Sequence, residues 1–196
     1  MIYLLCHGFG FSNEYWRNLA PLLDGDVVFF GNNFDESAKC VGIGHSIGFQ
    51  KLNNSGIKFD FLIGLQGFTN FCGNNRDLKK IREKNLDYLI GMLEKDPRKT
   101  LKFFYDTCRY PDEIPENIAV GDLATDLVNM KKSYDHCGCP TLVIGSDQDE
   151  IVPTSILDDN FRDKKNVIVE QINGAYHSLG FHKPREVFEK IKKFCR

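Results

Sequence analysis

Six short apolar runs set the frame for this chain. They are residues 2–6 (IYLLC), 27–30 (VVFF), 41–45 (VGIGH), 59–65 (FDFLIGL), 141–144 (TLVI) and 167–172 (VIVEQI). Helical patterns lie between them. Residues 13–23 place Tyr15, Leu19, Leu22 and Leu23 on one side, with Ser12 or Asn13 available as a cap. Further helices are expected at about 47–52, 154–161 and 184–195. Strands that are apolar along their length and alternate with helices are buried on both faces, the condition of a parallel sheet with helices on both sides. A length of 196 residues suits one compact domain, so we expect a single α/β domain over 1–196. The segment from about 70 to 133 departs from this pattern. It carries charge-rich helical stretches, a proline-rich break at Pro111 to Pro115 and no convincing strand, and it reads as a helical insertion, or lid, over the edge of the sheet.

Composition narrows the function classes. The charge balance of 25 basic against 27 acidic side chains gives a net charge of −2, which argues against a chain-wide nucleic-acid footprint. No apolar run approaches the ~18–20 residues that span a bilayer. The first residues, MIYLLCH, lack a basic segment and end at a histidine, so they do not read as a signal peptide. The seven scattered cysteines then read as reduced thiols, and the expected compartment is the cytoplasm.

The sharpest chemical feature is Gly44-His45-Ser46-Ile47-Gly48, which follows an apolar strand and precedes a helix. That setting suits a nucleophile elbow, a tight turn that lifts a serine hydroxyl clear at the end of the strand. A serine hydroxyl is a poor nucleophile until a base takes its proton. A base and an orienting acid are therefore expected on loops after later strands. His177 follows the strand at 167–172, and Asp147 and Asp149 follow the strand at 141–144. Either aspartate could fix the imidazole tautomer. His7 and His45 come too early in the chain for this order, and His182 reads as a surface or cap residue. His136, beside Cys137-Gly138-Cys139, reads as a turn before a strand, because no second ligand pair follows at zinc spacing; no metal or organic cofactor is expected. An oxyanion needs two N–H donors. One is expected from Ile47, after the nucleophile. The other is expected from Phe9, in the His7-Gly8-Phe9-Gly10 loop after the first strand.

At these residues the sequence resembles the α/β-hydrolase superfamily. The anchors are HGFG (7–10), GHSIG (44–48), GSDQDEIVP (145–153) and GAYH (174–177). The resemblance favours Asp149 over Asp147, because related enzymes commonly carry the acid four residues before a proline, here Pro153. It implies catalysis by Ser46, Asp149 and His177. That family usually opens with two further strands and places a helix where only ten residues separate Phe30 from Val41, so the resemblance implies a shortened, mostly parallel sheet without that helix. A narrower resemblance is to the pimeloyl-[acyl-carrier-protein] methyl ester carboxylesterases of biotin synthesis. It rests on HGFGFSNEYW (7–16) and on the stretch from Gly121 through Asp126 to Lys131 ahead of Cys139-Pro140.

That narrower resemblance implies a carrier-linked acyl ester as substrate and an acidic acyl-carrier protein as partner. A basic rim would then serve orientation and on-rate, and Arg98, Lys99, Lys102 and Arg109 are the candidates. Phe68, Phe71, Phe103 and Phe104 are candidates to line an acyl channel. Interleaved acidic residues (Glu83, Asp87, Glu94, Asp96) favour an ordinary solvated helix face for any single lysine. The rival functions are a thioesterase or lipid esterase on the same residues and, more distantly, a ligand-binding protein that has lost its chemistry.

Overall fold

The computed structural model describes residues 1–196. Six strands form one sheet: β1 (Ile2–Cys6), β2 (Asp26–Phe29), β3 (Cys40–His45), β4 (Phe61–Leu65), β5 (Thr141–Ser146) and β6 (Val167–Ile172). Their order is β2-β1-β3-β4-β5-β6, and every neighbouring pair is parallel. Burial follows position. The four central strands β1, β3, β4 and β5 are buried almost throughout, whereas the edge strands β2 and β6 are half-exposed. This is why the central runs are apolar at consecutive positions rather than at alternate ones.

Register shows which helices cover which face. Partners across parallel strands point the same way, so Gly44, Gly64 and Val143 share one face. A Cβ on Gly44 or Gly64 would meet Phe49 of helix α1 (Ile47–Asn53), and one on Gly145 would meet Leu157 of α5 (Thr154–Phe161). Phe61 and Leu65 point to the opposite face. There Phe61 packs on Phe194 of α7 (Pro184–Phe194), and Leu65 lies against Gly180 of α6 (Leu179–His182). The sheet is therefore covered by helices on both sides.

Residues 13–23 form two 3₁₀ turns, Asn13–Trp16 and Ala20–Leu22, where a continuous helix was expected. Pro21 supplies no N–H to bond the Arg17 carbonyl, so an α-helix cannot run through it. Ser12 caps the first turn by accepting from the Glu14 N–H at 3.3 Å. Residues 30–39 pass from β2 to β3 without a helix, as the short spacing requires.

After β4 the chain leaves the sheet for three helices, α2 (Arg76–Lys95), α3 (Pro97–Cys108) and α4 (Val120–Asn129). Asn75 caps α2 by accepting from the Asp77 and Leu78 N–H groups. Asp96 caps α3 by accepting from the Lys99 N–H at 3.0 Å, with Pro97 in the first turn. Arg109, in the left-handed region at φ 56°, ends α3. An isolated antiparallel bridge pairs Asn70 with Ser133, so the segment departs and returns at one place. Buried Asn160 of α5 secures that place: its Oδ1 accepts from the Thr69 and Asn70 N–H groups, and its Nδ2 donates to the Asn70 carbonyl.

Two glycine substitutions should separate close packing from backbone freedom. At position 44 a Cβ would sit 2.3 Å from the Phe49 Cα. Gly44→Ala is expected to cost about 3 kcal/mol or more in urea unfolding, since neither backbone can yield cheaply. Gly91 lies in α2 with open space around it. Gly91→Ala is expected to stabilise by roughly 0.5–1 kcal/mol through helix propensity. Equal midpoints for the two variants would contradict this packing account.

Candidate active site

Ser46 stands between β3 and α1 with φ 55° and ψ −126°. A non-glycine residue in that region costs of order 1–3 kcal/mol, held by the surrounding structure. The turn closes because α1 packs directly onto the strands. A Cβ on Gly48 would lie 2.1 Å from the Cys6 carbonyl oxygen. The Ser46 N–H donates to the Leu65 carbonyl at 2.9 Å, so its backbone continues the ladder to β4. Its hydroxyl makes no capping bond to α1 and faces a cavity. The His7-Gly8-Phe9-Gly10 loop lies against this turn, since a Cβ on Gly8 would come within 3.0 Å of the Ser46 Cβ. The Phe9 N–H has no acceptor within the protein, and Ile47 opens α1, where no carbonyl four residues back in the helix exists for its N–H.

His177 and Asp149 meet below the turn. His177 Nδ1 lies 2.9 Å from Asp149 Oδ2, and both side chains are fully buried. Asp149 Oδ1 accepts from the Ile151 and Val152 N–H groups at 2.8 and 2.9 Å. The carboxylate is thus held by two amides and accepts the Nδ1 proton, which leaves the lone pair on His177 Nε2. That nitrogen is buried with no hydrogen-bond partner. The Ser46 hydroxyl does not engage it in this conformation; such contacts are commonly long before substrate arrives. Asp147, the competing aspartate, is spent elsewhere: its Oδ1 accepts from the Gly174 N–H at 2.8 Å.

Three residues that the sequence reading left without a role position His177. His45 Nε2 donates to the His177 carbonyl at 2.7 Å, and its ring stacks on Tyr15 with centroids 4.3 Å apart. Gln66, at φ 53° after β4, donates from Nε2 to the Tyr176 carbonyl at 2.7 Å. The Tyr15 hydroxyl accepts from the Gly180 N–H at 3.1 Å. Burial holds the His45 imidazole well below the ordinary histidine value, and the neighbouring His177 pushes it further down. A neutral ring matches the single donor that the His177 carbonyl requires. Full burial of polar residues at strand ends is the signal that marks His45 and Gln66, and it belongs to the folded chain. His182 donates from Nε2 to the Arg109 carbonyl at 2.7 Å and serves as a helix-end residue.

The cavity above Ser46 has a volume of about 560 Å³ and is lined mostly by apolar side chains. Phe71, Phe103 and Phe104 line it. Phe68 does not: it is fully buried behind Phe71, with ring centroids 5.2 Å apart. One wall was not anticipated from sequence, the α2 face bearing Leu78, Ile81, Leu89 and Met92. The expected basic rim is not there either. The charged lining residues are Arg82 and Glu150. Arg98, Lys99 and Lys102 instead border a separate surface depression with Asp96, Asp112 and Glu113, and Lys102 pairs with Asp106. Arg109 lies over the Tyr176 ring at 5.4 Å. No group of three or more His, Cys, Asp or Glu side chains is placed to hold a metal ion. No helix is long and apolar enough to cross a membrane.

No protein-family model and no curated protein matches the sequence. Solved structures do. An esterase from Exiguobacterium antarcticum superposes with a TM-score of 0.76 at 12% identity, covering 100% of this chain and 91% of that one. A hydrolase from Oleispira antarctica gives 0.70 at 16% identity, covering 99% and 90%. A thermophilic esterase from Thermogutta terrifontis gives 0.68 at 16% identity, covering 98% and 88%. The fold is that of the α/β hydrolases. Within that fold the short all-parallel sheet carries Ser46, Asp149 and His177 on loops after β3, β5 and β6, with the three-helix segment after β4.

The buried His45 makes stability depend on pH in a stated direction. In the unfolded chain its imidazole takes up a proton below about pH 6.5. In the folded chain it resists that proton, so the unfolded state binds more protons and stability falls as pH falls. His7, also lowered by burial, acts in the same sense. Between pH 6 and pH 5 the unfolding free energy should drop by up to about 1.4 kcal/mol for His45 alone. His45→Gln, which keeps a donor for the His177 carbonyl, should reduce that slope by about one proton. An unchanged slope would show that His45 titrates normally.

Proposed function

We propose that the chain is a serine hydrolase that cleaves carboxylic esters through an acyl-enzyme. The observation that carries this reading is the buried Asp149–His177 pair, in a chain whose strand-to-helix turn holds a serine at positive φ. The carboxylate is fixed by two amides, the imidazole presents an unshared nitrogen lone pair, and the hydroxyl opens to an apolar cavity. His177 Nε2 takes the Ser46 proton as Ser46 Oγ attacks the ester carbonyl carbon. The negative oxygen that forms is met by the Phe9 and Ile47 N–H groups. His177 then gives its proton to the departing alcohol oxygen. A water molecule repeats the sequence on the acyl-enzyme and releases the acid. The imidazolium that forms midway stands 2.9 Å from the Asp149 carboxylate, which stabilises it. The cavity takes the acyl chain, and Phe104, which lines it, has its ring centroid 6.3 Å from that of His177.

The narrower substrate we propose is the pimeloyl-[acyl-carrier-protein] methyl ester. It rests on the sequence segments at 7–16 and 121–140 and on an apolar cavity that suits an acyl chain. The cytoplasm is the compartment this reading requires. Complementation of a biotin auxotroph lacking its methyl ester carboxylesterase tests it. Growth supports the narrow substrate. No growth, from a protein fully active on simple esters, removes the narrow substrate and leaves the general one.

The general chemistry has its own test. Ser46→Ala should lower turnover of a short-chain p-nitrophenyl ester by about four to six orders of magnitude. Its unfolding midpoint should not fall, since the change relieves nothing but a hydroxyl. Asp149→Asn should cost about four orders, through the wrong tautomer of His177. A fluorophosphonate probe should label the wild-type chain at Ser46 and leave Ser46→Ala unlabelled. A wild-type chain that resists the probe is a binding protein, and the catalytic reading is then wrong.

A further inference from the structure

Cys137 and Cys139, in the loop that leads from the lid to β5, hold their sulfurs 3.1 Å apart. A disulfide bond is about 2.05 Å long, so about 1 Å of closure would join them. The loop is fixed in this converging shape by side chains from three directions. Asn53 of α1 accepts from the Cys137 N–H at 2.9 Å and donates to the Asp135 carbonyl at 2.8 Å. Asn166 donates to the Gly138 carbonyl at 2.9 Å. His136 Nδ1 accepts from the Gly138 N–H at 3.1 Å, its Nε2 donates to Thr141 Oγ1 at 2.8 Å, and that hydroxyl donates to the Cys139 carbonyl at 3.0 Å. Gly138 sits at φ 87°, a conformation that only glycine adopts at low cost. Both nitrogens of His136 are therefore engaged within the loop.

We propose that Cys137-Gly138-Cys139 is a redox-active dithiol that exchanges with low-molecular-weight disulfides of the glutathione type. The Cys137 thiolate, its proton lost to solvent, attacks one sulfur of the disulfide RSSR. A Cys137–SR bond forms, the S–S bond of RSSR breaks, and RS⁻ leaves and takes up a proton. Cys139, deprotonated in turn, attacks Cys137 Sγ. The ring disulfide forms and the second RS⁻ departs as a thiol. Two protein thiols are oxidised, and one small disulfide is reduced to two thiols.

The assignment of roles within the pair follows exposure. Cys137 is exposed and Cys139 is half-buried, so the incoming disulfide reaches Cys137 first. The hydrogen bond from Cys139 also lowers the Cys137 thiol to about 6, while the same contact pushes Cys139 up. The remaining cysteines behave differently: burial raises Cys6 to about 12 and both Cys40 and Cys195 to about 11. This site is independent of the ester chemistry.

The test uses the full reduced chain, glutathione disulfide at neutral pH, acid quenching and peptide mapping. Trypsin yields residues 133–162, a peptide whose only cysteines are 137 and 139. The expected wild-type product is that peptide two hydrogens lighter, restored by dithiothreitol, with no lasting glutathione adduct. Cys139→Ser should stop at a glutathione adduct on Cys137. Cys137→Ser should form its adduct at least about tenfold more slowly than Cys139→Ser does. The ratio of bridged to reduced peptide should be at least about tenfold higher for the folded chain than for the chain in urea, because the fold has already brought the sulfurs together. A stable wild-type adduct, a wild-type peptide that stays reduced, or a ratio no higher in the folded chain would each overturn the proposal.

Discussion

The clearance between α1 and the sheet governs the rest of this molecule. Gly44 and Gly48 bring the helix so close to β1 and β3 that a single added carbon would fall 2.1–2.3 Å from backbone atoms. At that separation the chain can join strand to helix only through a sharp reversal, and Ser46 takes it at φ 55°. The reversal aims the hydroxyl away from both elements. It also places His45, one residue earlier, beneath the His177 loop, where its ring N–H holds the His177 carbonyl. One steric fact thus sets both the serine and the registration of its partner.

The apolar strands and the paired motifs were readable because their signals are local. A strand buried on both faces must be apolar at consecutive positions, and β1, β3 and β5 are. The glycines around Ser46 declare the tight turn in the same way. What escaped the sequence reading depended on partners far along the chain. Residues 13–23 show a helical period, yet Pro21 and the demand that Tyr15 and Trp16 both be buried produce two 3₁₀ turns. Asp147 and Asp149 are indistinguishable by residue type. The family resemblance favoured Asp149, and the folded loops set Asp149 against His177 and Asp147 against the Gly174 N–H.

The helices between β4 and β5 show the same limit on charge. On α3, Arg98 and Lys102 are four residues apart and share one helix face. Phe103, Phe104 and Thr107 occupy the opposite face and line the cavity. Composition placed basic and aromatic residues together, whereas the helical period puts them on different sides. The cavity wall from α2 was missed for a related reason. Its apolar residues (Leu78, Ile81, Leu89, Met92) are diluted by charged neighbours, and they form a surface only once α2 lies over Ser46.

The 70–133 segment is rooted at one place. The Asn70–Ser133 bridge and the side chain of Asn160 bring the two ends of that long segment to a single seam beside β4. No sheet ladder passes through the seam. The segment is nonetheless tied to the loops beneath it, because the Tyr105 hydroxyl donates to the Gly10 carbonyl and the Ser178 hydroxyl donates to the Cys108 carbonyl, each at 2.7 Å. A change in the helices that roof the cavity would therefore be felt at Gly10 and Ser178, the neighbours of Phe9 and His177.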